Sequence, residues 1–506
     1  MKKRLLFGLL LALALVLAAC DDTPVAPTTA PTTAPTQAPT QPTQATEPST
    51  EPTQVPTEAP TEAPTQAPTE PAEPVSYFKD YEYRYEGRNL TWEEDVIYFA
   101  KMFLNEVEYC DGHPLLSNEE MAVTLAQSQP ILGNYFDAAL TERFVAAVHD
   151  LLDRIPELND TQIPFEMLRI VALLEDNHSN FYVPMTESFP VRLEAFFSDE
   201  GYKIHATQVP TQHSDLIYAQ LLSINGVAIE EVVERMIPYV PCDYPENAIW
   251  HLADALYTSY LSSKEYLQQT EVLAWDADTA TFEFLTEDGQ TVTVTLTAMT
   301  QEESANVDMV WGNWVNMGYL DVDSFLNVPF WYNPDTEDAT LYIRYNTMSE
   351  NANYRHDAFI KELQGVTNDE VWDKIILDLR HDPGGALYSV YYKLVKILNE
   401  ANVDKIFVLT NGSSFSCSFC YSYEIKMAVE KAVFVGSPTG QTMQFFGDAR
   451  YYNLPNSGYY FGVANRVFDV QRGHDFSVLP VDIAAYQTLE DYKNGVDTVL
   501  ELVKGM

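Results

Sequence analysis

From about residue 311 the sequence alternates two kinds of pattern. Short β-rich apolar runs ("ATLYIRYN", "DKIILDLR", "KIFVLTN", "AVFVGSP") are separated by amphipathic ones ("RHDAFIKELQGV", "ALYSVYYKLVKILN", "SFCYSYEIKMAVEK"). Strands that read apolar throughout are buried on both faces, and the helices between them serve as crossovers. The region therefore predicts an α/β layer with largely parallel central strands. Ligands of such sheets bind just past the carboxyl ends of the strands. That rule singles out three loops, those after Arg380, after Thr410 and after Val435.

The chain before this region reads differently. Residues 77–185 predict helices: Thr91-Trp92-Glu93-Glu94 has the spacing of a capping box, and "DVIYFAKMFLNEV" follows with apolar residues at helical intervals. Further helices are expected in "EEMAVTLAQS", "LTERFVAAVHDLLDRI" and "FEMLRIVALLED". Residues 186–310 are mixed, with strands in "RLEAFFSDEGYKIHATQV" and "ATFEFLTEDGQTVTVTLTAM" and a hairpin turn at Asp288-Gly289. Between them "LLSINGVAIEEVVERMI" reads as a strand, an Asn225-Gly226 turn and a helix.

Nothing before residue 77 can build a core. Residues 21–76 form a Pro/Thr-rich spacer; positions 21 to 74 alone hold 14 of the 30 prolines and no aromatic, Lys or Arg. Proline fixes φ and extends its predecessor, so this stalk should be semi-rigid, about 150 Å long at roughly 3.1 Å per residue. Residues 1–20 begin Met1-Lys2-Lys3-Arg4 and run apolar from Leu5 to Ala19, the layout of a signal peptide. Leu17-Ala18-Ala19-Cys20 resembles the lipobox of bacterial lipoproteins. That resemblance implies cleavage before Cys20, a lipid anchor on Cys20, and a place on the outer face of the cytoplasmic membrane; an ordinary signal peptide cut nearby is the alternative.

The formal charge of −45 excludes a basic nucleic-acid-binding face. The remaining cysteines, Cys110, Cys242, Cys417 and Cys420, are too few for a disulfide framework. Cys417 and Cys420 form a CxxC without the partner ligands of a zinc site, and read as small buried residues on one helix face. No metal or organic cofactor is expected.

Two of the three strand-end loops carry residues suited to acyl transfer. His381-Asp382-Pro383-Gly384-Gly385 sets two glycines after a proline, where bare N–H groups can approach a ligand as an oxyanion site requires. Asn411-Gly412-Ser413-Ser414-Phe415-Ser416 leads from a strand straight into an apolar helix, so a serine hydroxyl there meets the positive end of the helix dipole. Each motif alone has a plain reading as a turn or a cap.

Taken together, "KIILDLRHDPGG", "FVLTNGSSFSCSF", "FVGSPTG" and "VLPVDIAAYQTLEDYKNGVDTVLELV" resemble the S41 serine peptidases, the group of tail-specific proteases, tricorn core protease and the chlamydial secreted protease. The resemblance implies a ClpP/crotonase-like α/β peptidase core over residues 311–506, a degenerate PDZ-like region over 186–310, and a protein or peptide substrate. It places the nucleophile at Ser416, with Ser414 as the alternative. The oxyanion donors become the N–H of Cys417 and that of Gly384 or Gly385. The tail-specific branch uses a lysine base at the position of Gln441, so that dyad is absent. The other branch takes a histidine after the N-terminal helices, and Asp176-Asn177-His178 supplies His178. Relatives carry a Glu near the last strand; here "RGHDFSVLPVD" offers Asp475 or His474, or the third member is missing. The function implied is a lipid-anchored extracellular serine endopeptidase working through an acyl-enzyme. A catalytically silent peptide- or glycan-binding lipoprotein on the same scaffold is the alternative.

Overall fold

The computed structural model describes residues 76–104, 106, 138–253, 260–313, 327–369, 371–464, 466–470 and 476–506. Cys20, Cys110, His474 and Asp475 lie outside these residues, as does the helix expected at "EEMAVTLAQS". Phe78–Met506 belong to one compact unit.

Three helices open the described chain: α1 (Gly87–Phe103), α2 (Ala138–Arg154) and α3 (Gln162–Ala172). Helix α1 starts a turn earlier than the capping box predicts. Thr91 lies inside it, its hydroxyl donating back to the Gly87 carbonyl at 3.0 Å. Glu94, the last residue of that box, does not reach back to a cap but accepts from the Asn456 side chain at 3.0 Å; the buried carboxylate of Glu93 accepts the N–H groups of Arg84 and Tyr85 and the Tyr81 hydroxyl, which pins the incoming segment along the helix. Short strand β1 (Asn180–Tyr182) follows α3.

An antiparallel sheet comes next, built from β2 (Arg192–Ser198), β3 (Gly201–Pro210), β4 (Gln220–Ile224), β5 (Thr279–Leu285), β6 (Thr291–Thr297) and β7 (Met309–Trp311). Its order is β7-β3-β4-β5-β6, with β2 beside β3 and Val227–Ala228 beside β4. The two hairpin turns fall where expected: Asn225 and Gly226 adopt φ of 52° and 77°, and Gly289 adopts 80°.

The third layer is the α/β core. In chain order it comprises β8 (Phe330–Asp335), β9 (Thr340–Tyr345), α4 (His356–Asp369), β10 (Lys374–Asp378), α5 (Tyr391–Glu400), β11 (Lys405–Thr410), α6 (Cys417–Ala428) and β12 (Ala432–Gly436). Strands β9 to β12 pair in parallel, with Ile343 opposite Leu377 and Leu377 opposite Val408, while β8 joins β9 antiparallel. All six residues of β9 are buried, Thr340 and Arg344 included, as in a strand covered on both faces.

Beyond β12 the chain does something the sequence pattern does not announce. Strands β13 (Arg450–Asn453) and β14 (Tyr460–Val463) form a hairpin that pairs with β1, Phe461 opposite Phe181. This segment leaves the 311–506 region to join the helical one: Phe461 lies 5.5 Å from Phe99 and 6.2 Å from Phe181, centroid to centroid. The chain then returns as β15 (Ile483–Ala484) beside β12 and ends in α7 (Thr498–Lys504).

A buried ionic cluster fastens that end to the sheet. Asp378, closing β10, takes Arg344 of β9 at 2.6 Å and Arg380 at 2.6 Å, and Arg380 also grips Asp497, the N-cap of α7, at 2.7 Å. Burial alone would raise the Asp378 pKa, but the two guanidiniums outweigh it and hold the carboxyl well below its ordinary range. A buried charge whose partners are complete is tolerable; removing one partner is what becomes expensive.

Candidate active site

Ser416 sits between β11 and α6 as the helix N-cap, with φ 55° and ψ −117°. A non-glycine residue rarely holds a positive φ, and the cost of order 1–3 kcal/mol persists only where neighbours enforce it. The neighbours are identifiable. Phe415 N–H donates to the Asp382 carbonyl at 3.0 Å, and Gly440 N–H donates to the Ser414 carbonyl at 3.0 Å. The Ser416 hydroxyl makes no capping bond to its own helix.

Instead it meets His178. The Nε2 to Oγ separation is 2.9 Å, between residues 238 apart in sequence. The turn that carries His178 leaves α3 and is held by carboxylates: Asp176 accepts the N–H groups of His178 (2.9 Å) and Ser179 (3.0 Å), and Asp243 accepts that of Asn177 (2.9 Å). Ser179 in turn accepts the N–H of Ala464, just past β14, at 3.0 Å. The imidazole lies against Phe415, centroids 4.5 Å apart, and near Phe445 at 6.1 Å. The residue is half-buried, and desolvation by these surroundings pulls its pKa down to about 3, so the ring is neutral near pH 7.

Ser414 does other work. Its hydroxyl donates to the Leu379 carbonyl at 2.7 Å and accepts the Asn411 N–H at 3.0 Å, tying the ends of two strands together. Asn411 extends this tie by accepting the N–H groups of His381 and Ser413.

The Gly-Gly turn packs directly on the Ser416 loop. A Cβ on Gly384 would lie 2.7 Å from both the Cys417 nitrogen and the Ser416 Cβ, and one on Gly385 would lie 2.3 Å from the Ser349 hydroxyl. With φ of 93° and 146°, both positions exclude a side chain on conformational grounds as well. The Gly384 N–H is already taken by the Asp382 carboxyl at 2.9 Å. Among the described residues the N–H groups of Gly385 and Cys417 have no acceptor. Burial raises Asp382 to about 8, against the pull of the Gly384 N–H and Arg344, so its carboxyl is largely protonated at neutral pH. The thiol of Cys417 is buried and pushed far up by desolvation, so only its backbone is available for chemistry.

One member was not foreseen by residue type. Gln441, fully buried after β12, accepts the Ser416 N–H through Oε1 at 2.7 Å and sets Nε2 3.3 Å from His178 Nδ1. Asp243 lies beside it; burial and the neighbouring Asp176 push Asp243 up to about 8, while Asn177 and Gln441 pull the other way. The only sequence signal for Gln441 was its place in a strand-end loop, where the tail-specific pattern sets a lysine. Among the described residues no group of three or more His, Cys, Asp or Glu could hold a metal ion.

Compared with solved structures, the chain is similar to mature CPAF: 13% identity over 82% of this chain and 97% of that one, at a TM-score of 0.53. It is similar also to mature CPAF complexed with lactacystin, at 12% identity, 82% and 98% coverage and a TM-score of 0.52. The chain has the S41 peptidase fold. No family model matches it, and no curated protein matches it in sequence. Within this S41 fold the strand-end loops and the histidine turn meet at one place. Asp475, the acid expected to steady His178, falls outside the described residues, and the group observed at Nδ1 is Gln441.

Proposed function

We propose that the chain is a serine endopeptidase that cleaves peptide bonds through an acyl-enzyme, exported and lipid-anchored through Cys20 on the outer face of the cytoplasmic membrane. Ser416 attacks the scissile carbonyl. Neutral His178 takes the hydroxyl proton and later returns it to the leaving amine. The N–H groups of Cys417 and Gly385 receive the developing oxyanion, since that of Gly384 is committed to Asp382. Asp475 is assigned the orienting acid, and the β-rich region of residues 186–310, read as a degenerate PDZ-like element, shapes the substrate cleft.

The observation that supports this reading most is the 2.9 Å approach of His178 Nε2 to a serine hydroxyl that does not cap its own helix. A fluorophosphonate probe tests it. Labelling should be abolished by Ser416→Ala, fall by several orders of magnitude in His178→Ala, and survive in Ser414→Ala once folding is verified. An intact, folded chain that resists the probe would instead fit a silent binding protein.

A further inference from the structure

The amide of Gln441 faces two groups at once, and they fix its orientation. On one side is the Ser416 backbone N–H, an obligate donor, at 2.7 Å; the atom it meets must be the carbonyl oxygen. A flipped amide would press N–H against N–H at that distance. The NH2 group is therefore the end that faces His178 Nδ1 at 3.3 Å, with the Asp243 carboxyl beside it. A ring nitrogen facing an N–H donor must offer its lone pair. In a neutral imidazole the other nitrogen then carries the hydrogen.

We propose that Gln441 fixes the resting tautomer of His178 with the ring proton on Nε2, so that Ser416 is held as a hydrogen-bond acceptor until the Gln441 side chain turns away. The low basicity of the buried ring agrees with a single ring proton. In this tautomer Nε2 has no lone pair for the Ser416 hydroxyl proton. To reach the competent form, Nδ1 takes a proton from water and Nε2 releases one to water, the ring being neutral before and after the exchange. Gln441 opposes the exchange, because its NH2 would then face an N–H. Gln441 is thus a positioning residue that holds the site latent. Its consequence for rate rests on the peptidase reading; the tautomer itself does not.

The experiment reads both separately. In full-length protein labelled with ring-15N histidine, the His178 signals are assigned by their loss in His178→Asn. The wild-type ring should show Nε2 protonated and Nδ1 bare. Gln441→Glu keeps an oxygen for the Ser416 N–H and turns a second oxygen towards Nδ1, so the proton should move to Nδ1. Fluorophosphonate labelling of Ser416 should then quicken at least about tenfold, a fraction of the roughly 10⁴ that a mis-set tautomer costs serine hydrolases. Gln441→Met, which offers Nδ1 no donor, should abolish the Nε2–H preference and serves if the Glu variant misfolds. A wild-type ring proton on Nδ1, an unchanged tautomer in Gln441→Met, or slower labelling in folded Gln441→Glu would each overturn the proposal. If no form labels while the tautomers shift as expected, the inference stands and the peptidase reading fails.

Discussion

The two halves of the candidate site are built by opposite means. Ser416 is fixed by its surroundings at the sheet's carboxyl edge: a strand, one strained residue, a helix, and the neighbouring glycine turn wedged against Phe415, Ser416 and the first residue of the helix. His178 has no such local frame. Its turn is steadied by Asp176 next door, but also by Asp243, 66 residues from Asn177, and by Gln441, 263 residues from His178. The serine is thus set by one strand-turn-helix and the two strand-end loops beside it, whereas its histidine partner depends on the assembly of more distant pieces.

The nucleophile side should be the easier to break locally. Gly384→Ala forces a methyl into 2.7 Å contact with Cys417 N and Ser416 Cβ at a φ of 93°. Probe labelling should drop by about 100-fold or more, the scale of losing one oxyanion donor. Gly458→Ala, at a φ of 73° but with open space around it, provides the control and should leave labelling unchanged. Equal losses in both would show that backbone strain, not the wedge, decides.

The second comparison uses pH, because each half buries one carboxyl raised to about 8: Asp382 under the glycine turn and Asp243 behind the histidine turn. In the unfolded chain these groups ionise near the ordinary value of 3.8, while in the folded chain they keep their protons to about 8. Folding therefore takes up protons across this window, and the stability they confer is fully present below about 4 and is lost as pH rises towards 8. Urea midpoints at pH 5 and pH 8 should show the decline. Asp382→Asn and Asp243→Asn should each flatten it, and a slope unchanged in both would mean that the carboxyls are ionised in the fold.

The smallest effect is expected at Asp176. Its two oxygens accept two separate N–H groups, and Asp176→Asn can keep only one of these bonds. A loss of about 1 kcal/mol in unfolding free energy is expected, with slower labelling as His178 loosens. Faster labelling would mean that the turn is held too tightly for function.

What could be read from the sequence follows the same division. The parallel strands, the glycine turn and a serine-bearing helix entry were legible because each is encoded by adjacent residues: a continuous apolar run, a proline with two glycines, serines entering a helix; the choice of Ser416 among those serines came from the resemblance. The early start of α1 was not legible, because Thr91 turns its hydroxyl back to Gly87 within the helix and Glu94 accepts from the distant Asn456 instead of closing a box. His178 was found only through a resemblance, since nothing in "LLEDNHSN" tells that its imidazole faces Ser416. Gln441 and Asp243 were invisible in role, because an amide and a buried acid acquire their meaning from what the fold sets beside them. The return of β13 and β14 to β1 had no local signal either; an aromatic-rich hairpin does not name the strand it will join.

That return has a temporal consequence. The first pieces of the histidine half leave the ribosome long before the strand that completes their small sheet, since Asn180 must wait for Gly462. Until almost the last of the polypeptide has been made, the imidazole turn lacks its scaffold, and the serine loop has no base to meet. Whatever chemistry this pair performs is thereby deferred to the nearly finished molecule, a clock set by the order in which the chain is made.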